Sequence, residues 1–219
     1  MAVMKVAIIN NGMGNLQSVL QSVQVAHRLQ NVNAVIELTA DPEKIFAADK
    51  IIFPGQGAMP DCMAALQNNG LKEVLLESLR NKPFLGICVG AQLLFEFSEE
   101  GDTTGLGWFT GSVVRFSSAR VDKQGRRLKV PHMGWNRVQQ TQKHPLFANI
   151  KQDEWFYFVH SYYLLPQQKD IVLANTDYPD AFACVVGRDN VFATQFHTEK
   201  SHNAGLQLLQ NFLLWDGSV

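Results

Sequence analysis

Pro83-Phe84-Leu85-Gly86-Ile87-Cys88-Val89-Gly90-Ala91-Gln92 is the stretch on which the reading of the fold turns. Its first five residues carry no polar side chain, the pattern of a strand buried on both faces. A helical pattern, Ala91-Gln92-Leu93-Leu94-Phe95, follows with no loop between them. A strand that passes straight into a helix needs small residues at the turn, and Gly86 and Gly90 stand two positions either side of Cys88. Such a turn lifts its central side chain out at the carboxyl edge of a sheet, where open α/β sheets bind ligands. Cys88 is therefore the candidate nucleophile. The helix N-terminus behind it favours the thiolate, and the backbone N–H of Val89 can face a developing oxyanion. A cysteine in a strand is ordinarily only a small buried side chain, and Cys62 and Cys184, which lack flanking glycines, keep that reading.

Outward from this stretch, apolar β-branched runs alternate with helical patterns. Val6-Ala7-Ile8-Ile9, Ala34-Val35-Ile36 and Ile51-Ile52-Phe53 read as buried strands, the last broken by Pro54-Gly55. Leu16, Val19, Leu20, Val23 and Ala26 recur at helical spacing, Asp41-Pro42 suits the cap and first turn of a short helix, and Leu71 to Leu79 is helical. The second half holds short strands, Val113 to Phe116, Trp155 to Tyr163, Ile171 to Leu173, Phe182 to Val186 and Val191 to Thr194, with a turn at Gly187-Arg188-Asp189-Asn190. A closing helix carries Leu206, Leu209 and Leu213. The expected class is α/β: an open, mostly parallel sheet flanked by helices with an antiparallel extension, in a single domain over residues 1–219.

Composition narrows the function classes. The chain has 19 Lys+Arg against 20 Asp+Glu, and only 18% of its residues are charged, where about 25% is usual. A near-neutral balance supplies no field for nucleic acid, so none is expected as a partner. Sparse charge fits a surface that a protein partner covers. No apolar run approaches the roughly 18 residues that span a bilayer, and Val6 to Ile9 is too brief for a signal-peptide core. Three scattered cysteines argue against a disulfide framework, so a reducing cytoplasm is expected. Arg120, Lys123, Arg126, Arg127 and Lys129, with Asp122 among them, read as a solvated hairpin face.

A thiol nucleophile needs a base. His197 follows the strand Val191 to Phe196 and stands two residues from Glu199, a spacing that puts both side chains on one side of an extended chain. Glu199 would then accept the Nδ1 proton and leave Nε2 facing the thiol. His160, beside Ser161 in an aromatic strand, is the competing base. His197-x-Glu199-x-x-His202 lacks a cysteine or carboxylate that would complete a metal set, so no metal is expected. Pro54-Gly55-Gln56-Gly57 follows the third strand at the same edge, where a backbone amide can supply a second oxyanion donor. Gly12-Met13-Gly14-Asn15 resembles a dinucleotide loop, but Gln17 stands where the third glycine belongs, and the motif is declined.

Gly-Ile-Cys88-Val-Gly-Ala-Gln, His197-x-Glu199 and Pro54-Gly55-x-Gly57 together resemble the class I, triad-type glutamine amidotransferases. Gly12-Met13-Gly14-Asn15-Leu16, Ser98-Glu99-Glu100-Gly101 with Gly105-Leu106-Gly107, Pro131-His132-Met133-Gly134-Trp135-Asn136, His160-Ser161-Tyr162-Tyr163 and Phe196 to Ser201 narrow the resemblance to the glutaminase-subunit family of imidazole glycerol phosphate synthases. It covers nearly the whole chain, and Pro-His-Met-Gly-Trp-Asn is its most specific part.

The resemblance implies that Cys88 attacks the side-chain amide of glutamine, that His197 protonates the departing ammonia and then activates water, and that Glu199 orients His197. It implies that Gln92 and the backbone around Ser161 and Tyr162 contact glutamine. Gly55, Gln56 and Gly57 match the oxyanion strand, in which an amide near Gln56 turns inward before catalysis, beside Val89. It implies a heterodimer with a barrel-shaped cyclase subunit of the HisF type. There the ammonia enters imidazole glycerol phosphate and an aminoimidazole carboxamide ribotide in histidine biosynthesis, with Trp135, Asn136 and Lys200 near the interface and no cofactor.

The chain departs from the family at Asn10-Asn11, where Asp-Tyr is usual, at Val89 and Ala91, where Leu and Met are, and at Thr198, where Pro is. The alternative acceptor is an enzyme making amidino sugars for surface polysaccharides. A regulatory partner that keeps only the fold, and a free-standing cysteine hydrolase, are the competing classes.

Overall fold

The computed structural model describes every residue except 1, 2, 14, 31, 118, 120, 122–124 and 126. The first half runs β1 (Met4–Ile9), α1 (Leu16–Gln30), β2 (Ala34–Thr39), α2 (Pro42–Ala47), β3 (Lys50–Gly55), α3 (Met59–Asn68), α4 (Leu71–Asn81), β4 (Phe84–Cys88) and α5 (Val89–Gln92). There follow β5 (Phe95–Ser98), β6 (Thr103–Thr104), β7 (Phe109–Arg115), β8 (His132–Gln140), β9 (Glu154–His160), β10 (Tyr162–Pro166), β11 (Val172–Asp177), β12 (Ala181–Arg188) and β13 (Val191–Thr194). A 3-10 turn, Thr198–Lys200, and α6 (His202–Leu214) close the chain.

The sheet is ordered β2-β1-β3-β4-β13-β12-β10-β7-β5-β6, and β11 joins β12 to the β8–β9 hairpin. The five strands β2, β1, β3, β4 and β13 run parallel, and the extension from β13 through β12, β10 and β7 is antiparallel. The path from β1 to β2 goes one way along the sheet and that from β3 to β4 goes the other. Right-handed crossovers therefore place α1 and the α3–α4 pair on opposite faces. Accordingly α1 packs on α6, while α2 and α3 pack on α4. β3, β4 and β13 are buried along their whole length, as parallel strands covered on both faces must be. At the foot of β3, Lys50 is buried and its ammonium donates to the carbonyls of Phe212 and Trp215 at the end of α6. A cation there satisfies acceptors the helix leaves open, although burial pulls its pKa down to about 8.

Several local expectations are corrected. Pro54 does not end its strand: Pro54 pairs with Ile87 and Gly55 with Cys88. β1 pairs with β3 only as far as Ile52, so by Pro54 that edge needs no donor and the missing N–H costs nothing. The helix after Cys88 is a single turn, and Phe95 already belongs to β5. Trp155 to Tyr163 is two strands, because β9 pairs with β8 while β10 joins β7 and β12. The run Trp155 to Tyr163 is aromatic on both sides of Ser161, so the change of partner leaves no mark in the sequence. α3 was not foreseen. In the basic stretch Val121 bridges Arg127 antiparallel, as a hairpin requires, while Arg120, Asp122, Lys123 and Arg126 lie outside the described residues, as does Gly14.

Besides His197, three histidines, His132, His144 and His160, are buried. Burial lowers His132 and His144 to about 4 and His160 to about 3. They stay neutral in the folded chain but charge below about pH 6.5 when it unfolds. Their contribution is therefore complete above that pH and is lost as pH falls toward 4. Thermal melts should show the midpoint dropping steeply between pH 6.5 and 4; a flat midpoint across that window would contradict this burial.

Candidate active site

The carboxyl ends of three adjacent parallel strands meet at one place. β4 ends on Cys88, Gly55 at the end of β3 lies opposite it, and His197 follows three residues after β13. Cys88 sits at φ 55 and ψ −111, outside ordinary helix or strand conformations, as a side chain thrust out of a sharp turn requires. The turn closes because Gly90 has no side chain: a Cβ there would lie 1.9 Å from the Phe53 carbonyl oxygen. α5 is only one turn long, and none of its N–H groups caps the Cys88 side chain, so the help expected from a helix terminus is not found.

His197 faces the same cleft as Cys88, and its Nδ1 lies 2.8 Å from Glu199 Oε1. The pair meets by a route other than the extended spacing expected. His197 donates its N–H to the Tyr157 carbonyl at 2.9 Å, and the Thr198–Lys200 turn then folds Glu199 back beneath the ring. The Glu199 carboxylate is fully buried, and its Oε2 has no partner. Burial opposes charge on His197, but Cys88 and Glu199 outweigh it and raise its pKa to about 10. The ring therefore carries a proton at neutral pH.

A cleft of about 340 Å³ opens over these groups, lined by Cys88, His197, Val89, Gln92, Gln56, Gly57, Ser161 and Tyr162. Gly55 is not in its wall and packs instead on the backbone of Gly90. Gln56 is held from two sides: its Oε1 accepts the Asn15 N–H at 3.0 Å, and its carbonyl accepts the Cys62 thiol at 3.4 Å. Burial pushes the Cys62 thiol up to about 11 and the Cys184 thiol well above its ordinary range, as suits buried neutral thiols.

His160 lines the cleft but cannot serve as base, since its Nδ1 lies 2.8 Å from the Tyr162 carbonyl and its Nε2 lies 2.9 Å from His132 Nδ1. Lys200, expected near an interface, stands in the cleft wall with its ammonium over the Tyr157 ring. Trp135 is 41% exposed on the outer face of β8, stacked on His202. Asn136 alternates to the other face and donates to the Asp177 carbonyl at 2.8 Å. Among the described residues no three His, Cys, Asp or Glu side chains are placed to hold a metal ion.

One site residue was missed. Gln195, fully buried, points its Nε2 at Cys88 Sγ from 3.9 Å and accepts from Gln92 Nε2 at 3.2 Å. Its signal was present as a long amide at the end of an apolar run.

Residues 7–215 match the family model described as "Glutamine amidotransferase class-I". Among curated proteins the chain is 64% identical over 212 residues to the imidazole glycerol phosphate synthase subunit HisH of Neisseria meningitidis serogroup A, covering 97% of this chain and all of that protein. It is 62% identical to HisH of Chromobacterium violaceum and 50% identical to HisH of Nitrosomonas europaea, over 99% and 96% of this chain and 100% and 98% of those proteins. Among solved structures it resembles a glutamine amidotransferase at TM-score 0.69 and 15% identity, covering 95% of this chain and 97% of that one. A glutamine amidotransferase of Thermotoga maritima matches at TM-score 0.63 and 15% identity, over 97% of each chain.

Proposed function

Because the chain belongs to the class-I glutamine amidotransferase family, we propose that it is the glutaminase subunit of an imidazole glycerol phosphate synthase, cleaving glutamine at Cys88 and passing the ammonia to a cyclase subunit. The observation that carries the reading is the meeting of Cys88 and a protonated His197 in one cleft, with the buried Glu199 carboxylate held on the far nitrogen of the ring, in a chain alike over its full length to HisH subunits.

The Cys88 thiolate adds to the side-chain carbonyl carbon of glutamine, and the carbonyl electrons move onto oxygen, facing the Val89 N–H and the Gln56–Gly57 backbone. As the tetrahedral adduct collapses, its C–N bond breaks and the leaving nitrogen takes the proton already on His197. Ammonia departs and a thioester remains. Neutral His197 then removes a proton from water, hydroxide attacks the thioester carbon, and the C–S bond breaks to give glutamate and the thiolate. Glu199, with no other partner, keeps Nδ1 protonated throughout.

The partner is proposed to be a barrel-shaped cyclase of the HisF type seated on the β8–β9 hairpin. Met133, Trp135 and Arg137 share one face with their cross-strand partners Val159, Tyr157 and Trp155. Met133 is 66% and Trp155 45% exposed, and Arg137 lies over the Trp155 ring. Exposed aromatic residues beside a cleft suit a protein interface. The reading carries with it a cytoplasmic enzyme working as one domain with its partner; among the described residues no helix is long and apolar enough to cross a membrane.

Co-purification with a cyclase barrel, followed by assay of glutamate release with and without the acceptor nucleotide, tests the reading. Glutamate release that rises with the acceptor, with amide nitrogen appearing in the imidazole product, is expected. Transfer only to a sugar acceptor would overturn the histidine-pathway assignment.

A further inference from the structure

The hydrogen bonds around His160 have one direction, and chemistry fixes it. Asn136 Nδ2 donates to the Asp177 carbonyl at 2.8 Å, and its Oδ1 accepts the Arg137 N–H, so the nitrogen is the end that faces His132 Nε2 at 3.3 Å. His132 must accept there, and being neutral it donates from Nδ1 to His160 Nε2 at 2.9 Å. His160 therefore donates from Nδ1 to the Tyr162 carbonyl at 2.8 Å. The same carbonyl takes a second donor, Gln92 Nε2, at 3.0 Å. The other N–H of Gln92 goes to Gln195 Oε1, which leaves the Gln195 amide nitrogen facing Cys88 Sγ. With both N–H groups spent, Gln92 offers the cleft only its Oε1, an acceptor for a substrate ammonium group.

From this we infer that Asn136, His132 and His160 are positioning residues for glutamine cleavage, the first half of a hydrogen-bonded chain that runs from the β8–β9 hairpin through Tyr162 and Gln92 to Gln195 and the sulfur of Cys88. None of the three touches a reacting atom. They hold the Tyr162 carbonyl where it aligns Gln92, and Gln92 aligns Gln195. The chain begins on the strand whose outer face carries Trp135, so the hairpin's packing and the sulfur's environment share one set of bonds. The inference rests on the reading of Cys88 as the nucleophile of a glutaminase.

Both rings sit among aromatic neighbours, His160 against Phe116 and Phe182 and His132 stacked on Phe158 and Tyr178. Phenylalanine at either position keeps that packing and deletes the bonds. In the complex with the cyclase subunit, His132→Phe and His160→Phe should each lower kcat/KM for glutamine about 10- to 100-fold, with KM rising, while the melting temperature and partner binding hold. His160→Asn places an amide N–H near the position of ring Nδ1 and should recover activity to within about fivefold of the unaltered complex. A residue that only fills space predicts the reverse order, with Phe harmless and Asn damaging. Among the described residues the hydrogen bonds that join His132 to Gln195 run through this chain, so adding Gln195→Leu to His132→Phe should cost little beyond the worse single change, whereas independent sites would multiply. Undiminished turnover in both Phe variants, an Asn variant no better than Phe, or multiplying effects would each overturn the inference while leaving the glutaminase reading intact. Absence of glutamine cleavage in the unaltered complex would overturn that reading itself.

Discussion

Replacing Cys88 by alanine is expected to lower glutamine cleavage by roughly 10⁴- to 10⁶-fold, with the protein folded and still able to bind its partner. The reaction needs a covalent intermediate, and alanine supplies no atom to form it. Neither Gln195 nor His197 replaces the sulfur, because the one is a neutral amide and the other already carries its proton at neutral pH. The structural cost is small. Alanine inherits the backbone at φ 55 that cysteine already tolerates. The lost side chain faces the cleft and not the exposed Met133, Trp135 and Trp155 side chains, none of which lines it. Glutamate release measured beside a pull-down with the cyclase subunit separates the two properties, and substantial release by the alanine variant would show that the nucleophile lies elsewhere.

Gly90→Ala is expected to damage stability more than any other single methyl group placed at this site. The added carbon would lie 1.9 Å from the Phe53 carbonyl oxygen and 2.9 Å from its carbon, both backbone atoms. No rotamer relieves a backbone clash, so α5 must move off β3 or β3 must bend. A loss of about 3 to 5 kcal/mol follows, which for a chain of this size lowers the melting temperature by about 10 °C. The same displacement would shift Pro54 to Gly57 relative to Cys88, so surviving protein should cleave glutamine at least about 100-fold more slowly. Denaturant unfolding and glutaminase assays on the purified variant check both, and a midpoint within experimental error of the parent would refute the packing argument.

The parallel half of the sheet was legible because strands buried on both faces write themselves as unbroken apolar runs, as at Ile51-Ile52-Phe53 and Phe84 to Ile87. The elbow at Cys88 was legible because its glycines are required by contact. What escaped was set by tertiary context. Pro54 continues its strand because that edge has no neighbour to bond, a fact no local pattern contains. The helix after Cys88 stops after one turn although its residues suit a longer one, because Phe95 is taken up as a partner of Phe109. Glu199 was found with its partner correct and its geometry wrong, since a 3-10 turn and an extended chain can both bring residues two apart together. Gln195 was missed because its importance lies in contacts with Gln92 and Cys88, both more than a hundred positions away in the chain.

The sheet order has a consequence for the protein as it is made. β4, which carries the nucleophile, and β13, which leads to its base, are neighbours in space, yet β13 is the last strand synthesised. Until it emerges, the parallel strands and the antiparallel extension have no strand between them, and assembly must wait for a pairing of very long sequence separation. A nascent chain on the ribosome thus carries Cys88 without His197 or Glu199, and is chemically idle toward the cell's glutamine. Its reactivity arrives only with the closing segment, so unfinished or truncated copies consume no substrate.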